Sequence, residues 1–291
     1  MKKILTLLLF ITVAISANSQ ELCKVFDDFI KIIPDSVKNS NKASYGIRII
    51  DKKGNIICEN YVNKNVQFTP ASTIKVLIAM KILQLIDEGK LNFDTKITIN
   101  QPNANEDGGG VRYSRGVIRT IKELLTDMIE ESNNIASNQL IDIATKEKIN
   151  KLADDLNANN TRLYRKVYDF ISGEINKYKN STTAYDLAQI YTEISTGERK
   201  ILSEESRMFL IDLLGNTTIN NKINADFPSN IKFYHRTGST SKRSADAGFF
   251  YLNNDTIVIL IGLQNFQNSK LLSDFGRIIL NNFLNNLQKK M

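Results

Sequence analysis

Strand-like patterns lie only near the two ends of this 291-residue chain. Near the start, two apolar runs flank Asp51-Lys52-Lys53-Gly54, and near the end two more flank Asn253-Asn254-Asp255. Both arrangements are typical of β-hairpins. From about 69 to 214 the apolar spacing is helical instead. We therefore expect one antiparallel sheet built from both chain ends, with a helical lobe inserted between its strands.

Helices are also expected at both ends of the mature chain, each covering the sheet. One is the segment from about 22 to 37, and the other follows the second hairpin, where apolar residues recur at three- and four-residue spacings from Leu271 to Leu287. No repeat or low-complexity linker divides the chain. We predict a signal peptide over 1–19 and a single catalytic domain over 20–291. Its sheet lobe covers about 20–68 and 215–291, and its helical lobe about 69–214.

Two capping boxes are predicted inside the helical lobe. Thr120 pairs with Glu123 ahead of one apolar-periodic run, and Thr183 pairs with Asp186 ahead of another. In such a box the two side chains satisfy each other's backbone N–H groups at a helix start. The cleft between this lobe and the sheet is the expected place for a site.

The N-terminus has the pattern of a secretory signal peptide. A basic start is followed by an apolar run over 4–15, and the small residues Ala17 and Ser19 precede a possible cleavage site. The run is too short to span a bilayer comfortably. We expect an exported protein, periplasmic or secreted, with no stable membrane anchor. Lipidation at Cys23 is the rival reading, although the residues before it lack the small side chains that such processing needs.

The cysteine content, the possible metal ligands and the net charge limit the kinds of site that this chain can form. Cys23 and Cys58 are the only cysteines, and export would allow them to form a disulfide or to stay as two unpaired thiols. The chain lacks clustered ligands of the zinc-site type, so we expect no metal and no cofactor. The net charge of +7 is spread among acidic residues, which argues against nucleic-acid binding. We expect a monomer that acts on a small molecule.

Ser72 and Lys75 stand three positions apart at the start of a helix that is apolar nearly all round. Thr69-Pro70 is a helix-start signal just before them. Both side chains would lie on one helix face, where the positive end of the helix dipole favours a serine alkoxide. Burial favours the neutral amine of a lysine, which can then accept a proton. The alternative is a serine cap followed by a surface lysine.

Two further motifs are polar. Ser132-Asn133-Asn134 interrupts a capped helix, where it could aim a hydroxyl and an amide into a cleft or form an ordinary turn. Arg236 and Thr237 follow His235 on an expected strand, and a cation beside a hydroxyl suits a substrate carboxylate. Gly238 would allow substrate backbone to approach closely. We interpret His235 as structural rather than as a catalytic base.

Together these motifs resemble those of class A serine β-lactamases, in the superfamily shared with penicillin-binding proteins. The resemblance covers essentially the whole mature chain, with Asn133 in place of an aspartate and Arg236 in place of a lysine. It implies an α/β fold of the α+β type, with a five-stranded antiparallel sheet, flanking terminal helices and an inserted all-helical lobe.

The same resemblance implies the roles of individual residues. Ser72 would be the nucleophile, Lys75 its activating partner and Ser132 a proton relay. Asn134 would bind the substrate amide, and the backbone N–H groups of Ser72 and Ser239 would form the oxyanion hole. Arg236 and Thr237 would bind the substrate carboxylate. Unlike lysine, Arg236 cannot give up a proton.

One departure from the family lies in the loop before Thr182. The glutamate that orients the deacylating water in class A enzymes falls here on Val167, which cannot activate water. Asp169 or Glu174 could substitute only within hydrogen-bond reach of that water. For Asp169 the other reading is a loop anchor paired with Arg165 or Lys166.

Three functions therefore stay open at the level of sequence. The first is an exported serine hydrolase of class A β-lactamase type, which opens β-lactam amides through Ser72. The second is a penicillin-binding or D,D-peptidase-like protein that acts on cell-wall peptides and is only slowly deacylated. The third is a binding module without turnover, against which the retained Ser72, Lys75, Ser132 and Asn134 argue.

Overall fold

The fold was analysed in a computed structural model, which describes residues 19–100, 110–167 and 179–288. Its helices are α1 (Ser19–Ile32), α2 (Asp35–Lys38), α3 (Lys75–Asp87), α4 (Ile121–Ile129), α5 (Asn134–Ala144), α6 (Lys146–Asp155), α7 (Ala184–Thr196), α8 (Glu204–Gly215) and α9 (Ser269–Gln288). Short 3-10 turns cover Ala71–Ile74 and Gly110–Tyr113. Its strands are β1 (Ala43–Asp51), β2 (Ile56–Val62), β3 (Lys96–Thr98), β4 (Ile118–Thr120), β5 (Tyr234–Thr240), β6 (Arg243–Tyr251) and β7 (Thr256–Gln264).

Five strands form one antiparallel sheet in the order β2-β1-β7-β6-β5. The central pairing joins the two ends of the chain, with Ile47 opposite Leu260. The expected hairpins are β1-β2 and β6-β7, so the predicted five-stranded antiparallel sheet is confirmed. The inserted lobe also contains the short antiparallel pair β3-β4, which the helical spacing did not indicate.

The sheet lies between two apolar cores, which explains why every residue of β7 is buried. One core joins a face of the sheet to the helical lobe and surrounds α3. The other lies under α1 and α9, where Phe26, Phe29, Tyr45 and Phe275 pack ring against ring. Strands covered on both faces need apolar side chains on both, so they show continuous apolar runs rather than alternation.

Of the two predicted capping boxes, one forms as predicted and the other forms only in part. Thr120 and Glu123 form the reciprocal box before α4. Thr183 caps α7 by accepting from the Asp186 N–H, but the Asp186 carboxylate accepts from the backbone N–H of Asn160 at 2.7 Å and does not close the box. That carboxylate instead ties α7 to the loop after α6.

A disulfide joins Cys23 in α1 to Cys58 in β2, with a Cα–Cα distance of 6.0 Å. It resolves the alternative between paired and free thiols, and it fastens the N-terminal helix to the outer strand. Residues 1–18 of the predicted signal peptide lie outside the described residues. Within the described ranges, no helix is both long enough and apolar enough to cross a membrane.

Candidate active site

Ser72 lies in the 3-10 turn that leads into α3, and its side chain is half-buried. Pro70 rather than Thr69 occupies the capping position, without a side-chain cap. The turn is closed by Thr73, whose hydroxyl donates to the carbonyl of Pro70 at 2.7 Å. The serine therefore stands just before the positive end of an apolar helix, much as its sequence position predicts.

Lys75 brings the first two motifs together. Its side chain is fully buried, and Nζ donates to the Ser132 carbonyl at 2.7 Å, to Asn134 Oδ1 at 2.7 Å and to Ser132 Oγ at 3.2 Å. Ser132 Oγ in turn donates to Ser72 Oγ at 3.2 Å. A continuous chain of hydrogen bonds therefore runs from Ser72 through Ser132 to Lys75. The alternative of a surface lysine at position 75 is excluded.

The loop between α4 and α5 orients the side chain of Ser132 toward Ser72 and Lys75. Ser132 has a left-handed backbone with φ of 66°, a strained conformation that non-glycine residues adopt only when the surroundings hold it. Asn133 caps α5 by accepting from the Ala136 N–H at 2.8 Å, and its own N–H donates to the Asp127 carbonyl at 2.9 Å. The family aspartate is thus replaced here by a helix cap.

Strand β5 packs directly on the turn that carries Ser72, and Gly238 makes this possible. A Cβ atom at Gly238 would lie 2.9 Å from the Ala71 Cβ, 3.0 Å from the Ser72 backbone N and 3.1 Å from the Pro70 carbonyl. We expected this glycine to admit substrate backbone. The protein backbone that approaches it closely is that of the Ser72 turn, and the expectation about substrate stays a prediction.

Arg236 and Thr237, the expected carboxylate ligands, are both buried on β5. None of the three guanidinium nitrogens of Arg236 has a hydrogen-bond partner among the described residues. Burial lowers the pKa of Arg236 to about 10, against the raising effects of Tyr191 and Asp246. The guanidinium still carries its charge at neutral pH, so the site holds a cation whose hydrogen-bonding capacity is not used by the protein.

A pocket of about 390 Å³ opens beside Ser72. One wall is the Ser72 turn, a second is the loop residues Arg165, Lys166 and Val167, and a third is the end of β5 at Ser239. In the described ranges, no group of three or more His, Cys, Asp or Glu side chains could hold a metal ion.

A family model described as "Beta-lactamase enzyme family" matches residues 28–283. The chain belongs to this β-lactamase family. Beta-lactamase VEB-1 from Pseudomonas aeruginosa is 25% identical to it, over 98% of each chain. D-alanyl-D-alanine carboxypeptidase DacF from Bacillus subtilis (strain 168) is 24% identical, over 50% of this chain and 42% of that protein. Among solved structures, PBP-A superposes with a TM-score of 0.74 at 21% identity, over 90% of this chain and 96% of its own. The last likeness supports the fold alone.

Val167 is the residue predicted from sequence to stand where class A β-lactamases carry the loop glutamate. Asn138 holds its backbone from both sides, accepting from the Val167 N–H at 2.8 Å and donating to its carbonyl at 2.8 Å. The valine side chain packs against the core of the helical lobe. Asp169 and Glu174, the two carboxylates weighed as substitutes, lie outside the described residues.

His235 is a fully buried residue of β5 and has partners that its sequence context did not suggest. Nδ1 lies 2.8 Å from Asp246 Oδ1, and Nε2 lies 3.1 Å from Asn220 Oδ1. Asp246 also accepts from the Ile223 N–H at 3.1 Å. These contacts fasten the loop before β5 to the sheet, which agrees with a structural role for the histidine.

Lys222 is the residue near the site that sequence reasoning missed. It is buried behind β5, where Nζ donates to the Gly238 carbonyl at 2.6 Å, to Ser239 Oγ at 2.8 Å and to the Ala245 carbonyl at 3.0 Å. Burial lowers its pKa to about 8, opposed by Asp246 and aided by Arg236. Its neighbours in sequence, Asn220 and Asn221, are typical of an exposed loop, so no local signal marks it.

Proposed function

We propose that this protein is an exported serine hydrolase of class A β-lactamase type, which opens β-lactam amides through an acyl-enzyme on Ser72. The observation that carries the proposal is the hydrogen-bonded chain of Ser72, Ser132 and Lys75, of which Ser72 lines the pocket. A serine becomes a useful nucleophile when a base within hydrogen-bond reach can take its proton.

In the proposed acylation, Ser72 Oγ attacks the lactam carbonyl carbon and forms the ester bond. Its proton passes through the Ser132 hydroxyl to the neutral amine of Lys75, which donates to the Ser132 carbonyl and Asn134 Oδ1 and directs its lone pair at Ser132 Oγ. The negative oxygen of the tetrahedral intermediate is held by the N–H groups of Ser72 and Ser239. As the C–N bond breaks, Ser132 returns a proton to the departing nitrogen. Atoms and charge then balance without any added reactant.

Substrate binding is assigned to groups around this centre. Asn134 accepts from Lys75 through Oδ1, so its Nδ2 is the group it can offer to a substrate carbonyl. The buried guanidinium of Arg236, with the Thr237 hydroxyl beside it, would take the substrate carboxylate.

One feature favours slow release of the acyl group, because the Val167 side chain provides no base. This supports the second candidate, a penicillin-binding or D,D-peptidase-like protein that cleaves cell-wall peptides and is trapped by β-lactams. The partial similarity to the carboxypeptidase DacF points the same way. PBP-A, which shares the fold, is also known as a point mutant in an acyl-enzyme complex with penicillin G.

One experiment separates the two candidates. Purified mature protein is followed with a chromogenic cephalosporin and, in parallel, by intact mass, with Ser72→Ala as the control. Steady turnover that Ser72→Ala abolishes supports the β-lactamase. A long-lived adduct without turnover, converted to turnover by Val167→Glu, supports the second candidate. No adduct at all would contradict both.

Export is the remaining part of the proposal. It is supported by the Cys23–Cys58 disulfide, since such bonds form in oxidising compartments. Expression of the full chain in a bacterium with two membranes, followed by fractionation and mass measurement, tests it. We expect a periplasmic product that begins at Gln20. A cytoplasmic product that retains Met1 would contradict it.

A further inference from the structure

Asp127, in the last turn of α4, carries a buried carboxylate that no step of the proposed reaction uses. Its Oδ2 accepts from the Tyr113 hydroxyl at 2.7 Å and from Arg119 Nη2 at 3.1 Å. A second arginine, Arg112, lies 4.0 Å from Oδ1. These partners come from the 3-10 turn over Gly110–Tyr113 and from β4. The carboxylate therefore fastens both of those segments to the end of α4.

The backbone of the same residue holds the turn that carries Ser132. The last carbonyls of a helix have no donors within that helix, and the Asp127 carbonyl accepts from the Asn133 N–H at 2.9 Å. Ser132 lies between the two, with the left-handed φ of 66°. Such a backbone persists only where the surrounding contacts hold it. Asp127 is thus attached through its side chain to two outer segments and through its carbonyl to the strained turn.

Several charged contacts keep the Asp127 carboxylate in place. Arg119 donates to it as a cation, and hydrogen bonds between ionised groups are stronger than those between neutral groups. Burial and the Asp127 carboxylate raise the pKa of Tyr113 above that of an ordinary phenol, so its hydroxyl keeps the proton that it donates. Arg119 also pairs with Glu123 at 3.2 Å and lies over the Tyr113 ring. The end of α4 is therefore held from outside the helix.

We propose that Asp127 is a positioning residue for the reaction, which keeps the Ser132 hydroxyl within reach of Ser72 and Lys75. It acts by fixing the end of α4, where the Ser132 turn begins, and touches neither substrate nor reacting atoms. Ser132 Oγ lies 3.2 Å from Ser72 Oγ and 3.2 Å from Lys75 Nζ. These distances are already at the long end of the hydrogen-bond range, so a displacement of about an ångström would break the relay. The inference rests on the proposed function and adds a residue to it.

The test measures the second-order rate of Ser72 acylation by benzylpenicillin, read by intact mass, in a double-mutant cycle with Ser132→Ala. Asp127→Ala removes the acceptor of both contacts, whereas Asp127→Asn keeps an acceptor oxygen in a side chain of the same shape. We expect Asp127→Ala to slow acylation at least about tenfold and Asp127→Asn to stay within about threefold. In the Ser132→Ala protein, Asp127→Ala should cause no further loss, because no hydroxyl remains to be positioned.

A second variant and two controls separate positioning from folding. Asp127→Ala leaves two donors unpaired and should lower stability, so thermal melting verifies that it is folded in the assay. Tyr113→Phe removes one hydrogen bond, and we expect a loss of about threefold to tenfold that again disappears with Ser132→Ala. Asp35→Ala and Tyr251→Phe, at exposed positions, are the matched controls and should acylate at the unmodified rate. High benzylpenicillin concentrations and long incubation keep the slow Ser132→Ala reaction measurable.

Two outcomes would overturn the inference. Unmodified rates in both Asp127→Ala and Tyr113→Phe would show that the Ser132 turn keeps its place without these contacts. Equal fold losses with and without the Ser132 hydroxyl would show that the network supports the fold in general and not this side chain. In either case an adduct on Ser72 in the unmodified protein would leave the proposed function standing. Absence of that adduct would overturn both.

Discussion

Besides Lys75, the buried basic residues Arg236 and Lys222 lie near Ser72, and these two differ in how their charge is accommodated. Lys222 uses all three of its donors within the protein. Arg236 is equally buried, and the described residues give its guanidinium no acceptor. Burying a charge without hydrogen bonds costs stability. At the scale of single residues, the proposed role of Arg236 as the ligand of a substrate carboxylate would account for this cost.

Replacing Arg236 by an apolar residue should reveal the stability that is lost by burying its charge. We expect Arg236→Met to raise the free energy of unfolding at pH 7 by about 1–3 kcal/mol and to weaken β-lactam acylation at least about tenfold. Burial lowers the pKa of Arg236 to about 10, which is still far above neutral. The guanidinium therefore stays charged, and the stabilising effect of the substitution should be the same at every pH from about 6 to 8.

Urea unfolding of the two proteins at several pH values measures the difference. Arg115→Met, at an exposed position, is the matched control and should leave stability unchanged. A lower stability of Arg236→Met at pH 7 would contradict the prediction.

At the scale of elements, the contact of β5 with the Ser72 turn controls the alignment of nucleophile and strand. Gly238→Ala would bring a methyl group to 3.0 Å from the Ser72 backbone N, closer than real Cβ contacts normally come. We expect the turn to shift and acylation to fall at least about tenfold, since misplacement of reacting groups by about an ångström has effects of this size. Melting should change far less than activity. Acylation at the unmodified rate would show that the turn can give way without consequence.

The disulfide acts on a second pair of elements, α1 and β2. It closes a sequence separation of 35 residues, for which the loss of unfolded-state entropy corresponds to roughly 3–4 kcal/mol. We expect the double substitution of Cys23 and Cys58 by Ala to lower the free energy of unfolding by about that amount. Reductant should lower the urea midpoint of the unmodified protein and leave that of the double variant unchanged. Equal midpoints for the two proteins without reductant would contradict the prediction.

Sequence signals were reliable where the partners are close along the chain. The box of Thr120 and Glu123 depends on a contact over three residues and forms as predicted. The second box fails because Asp186 has a better donor in the Asn160 N–H, on a different loop. Lys222 was missed for the same reason, since its acceptors lie 16 to 23 residues away on two strands. Contacts of that kind are created by the fold and leave no local pattern.

At the scale of the whole molecule, the two apolar cores are separated by the sheet and share its strands. The core under the terminal helices contains Phe275, which contacts Phe26, Phe29 and Tyr45. The pattern of apolar spacing predicted these helices, because their faces are periodic. It could not show which aromatic rings meet, since those come from opposite ends of the chain.

Phe275→Ala should therefore weaken the entire fold. We expect the free energy of unfolding to fall by about 3–5 kcal/mol, as for other large-to-small changes in a packed core. Because both cores use the same sheet, fluorescence and circular dichroism should report one shared transition. Asn281→Ala, at an exposed position of the same helix, is the control. Separate transitions for the two probes would show that the cores unfold independently.

The pairing of β1 with β7 has a consequence for biogenesis. Strand β1 pairs with β2 soon after both are synthesised, but its other neighbour, β7, is complete only after Gln264 has been made, because Ala43 pairs with that residue. Contacts this far apart in sequence form slowly. A nascent chain emerging from the ribosome therefore cannot close its sheet until translation is almost complete. This delay would keep the polypeptide threadable for a translocation channel, and would postpone formation of the active centre until the chain has reached its destination.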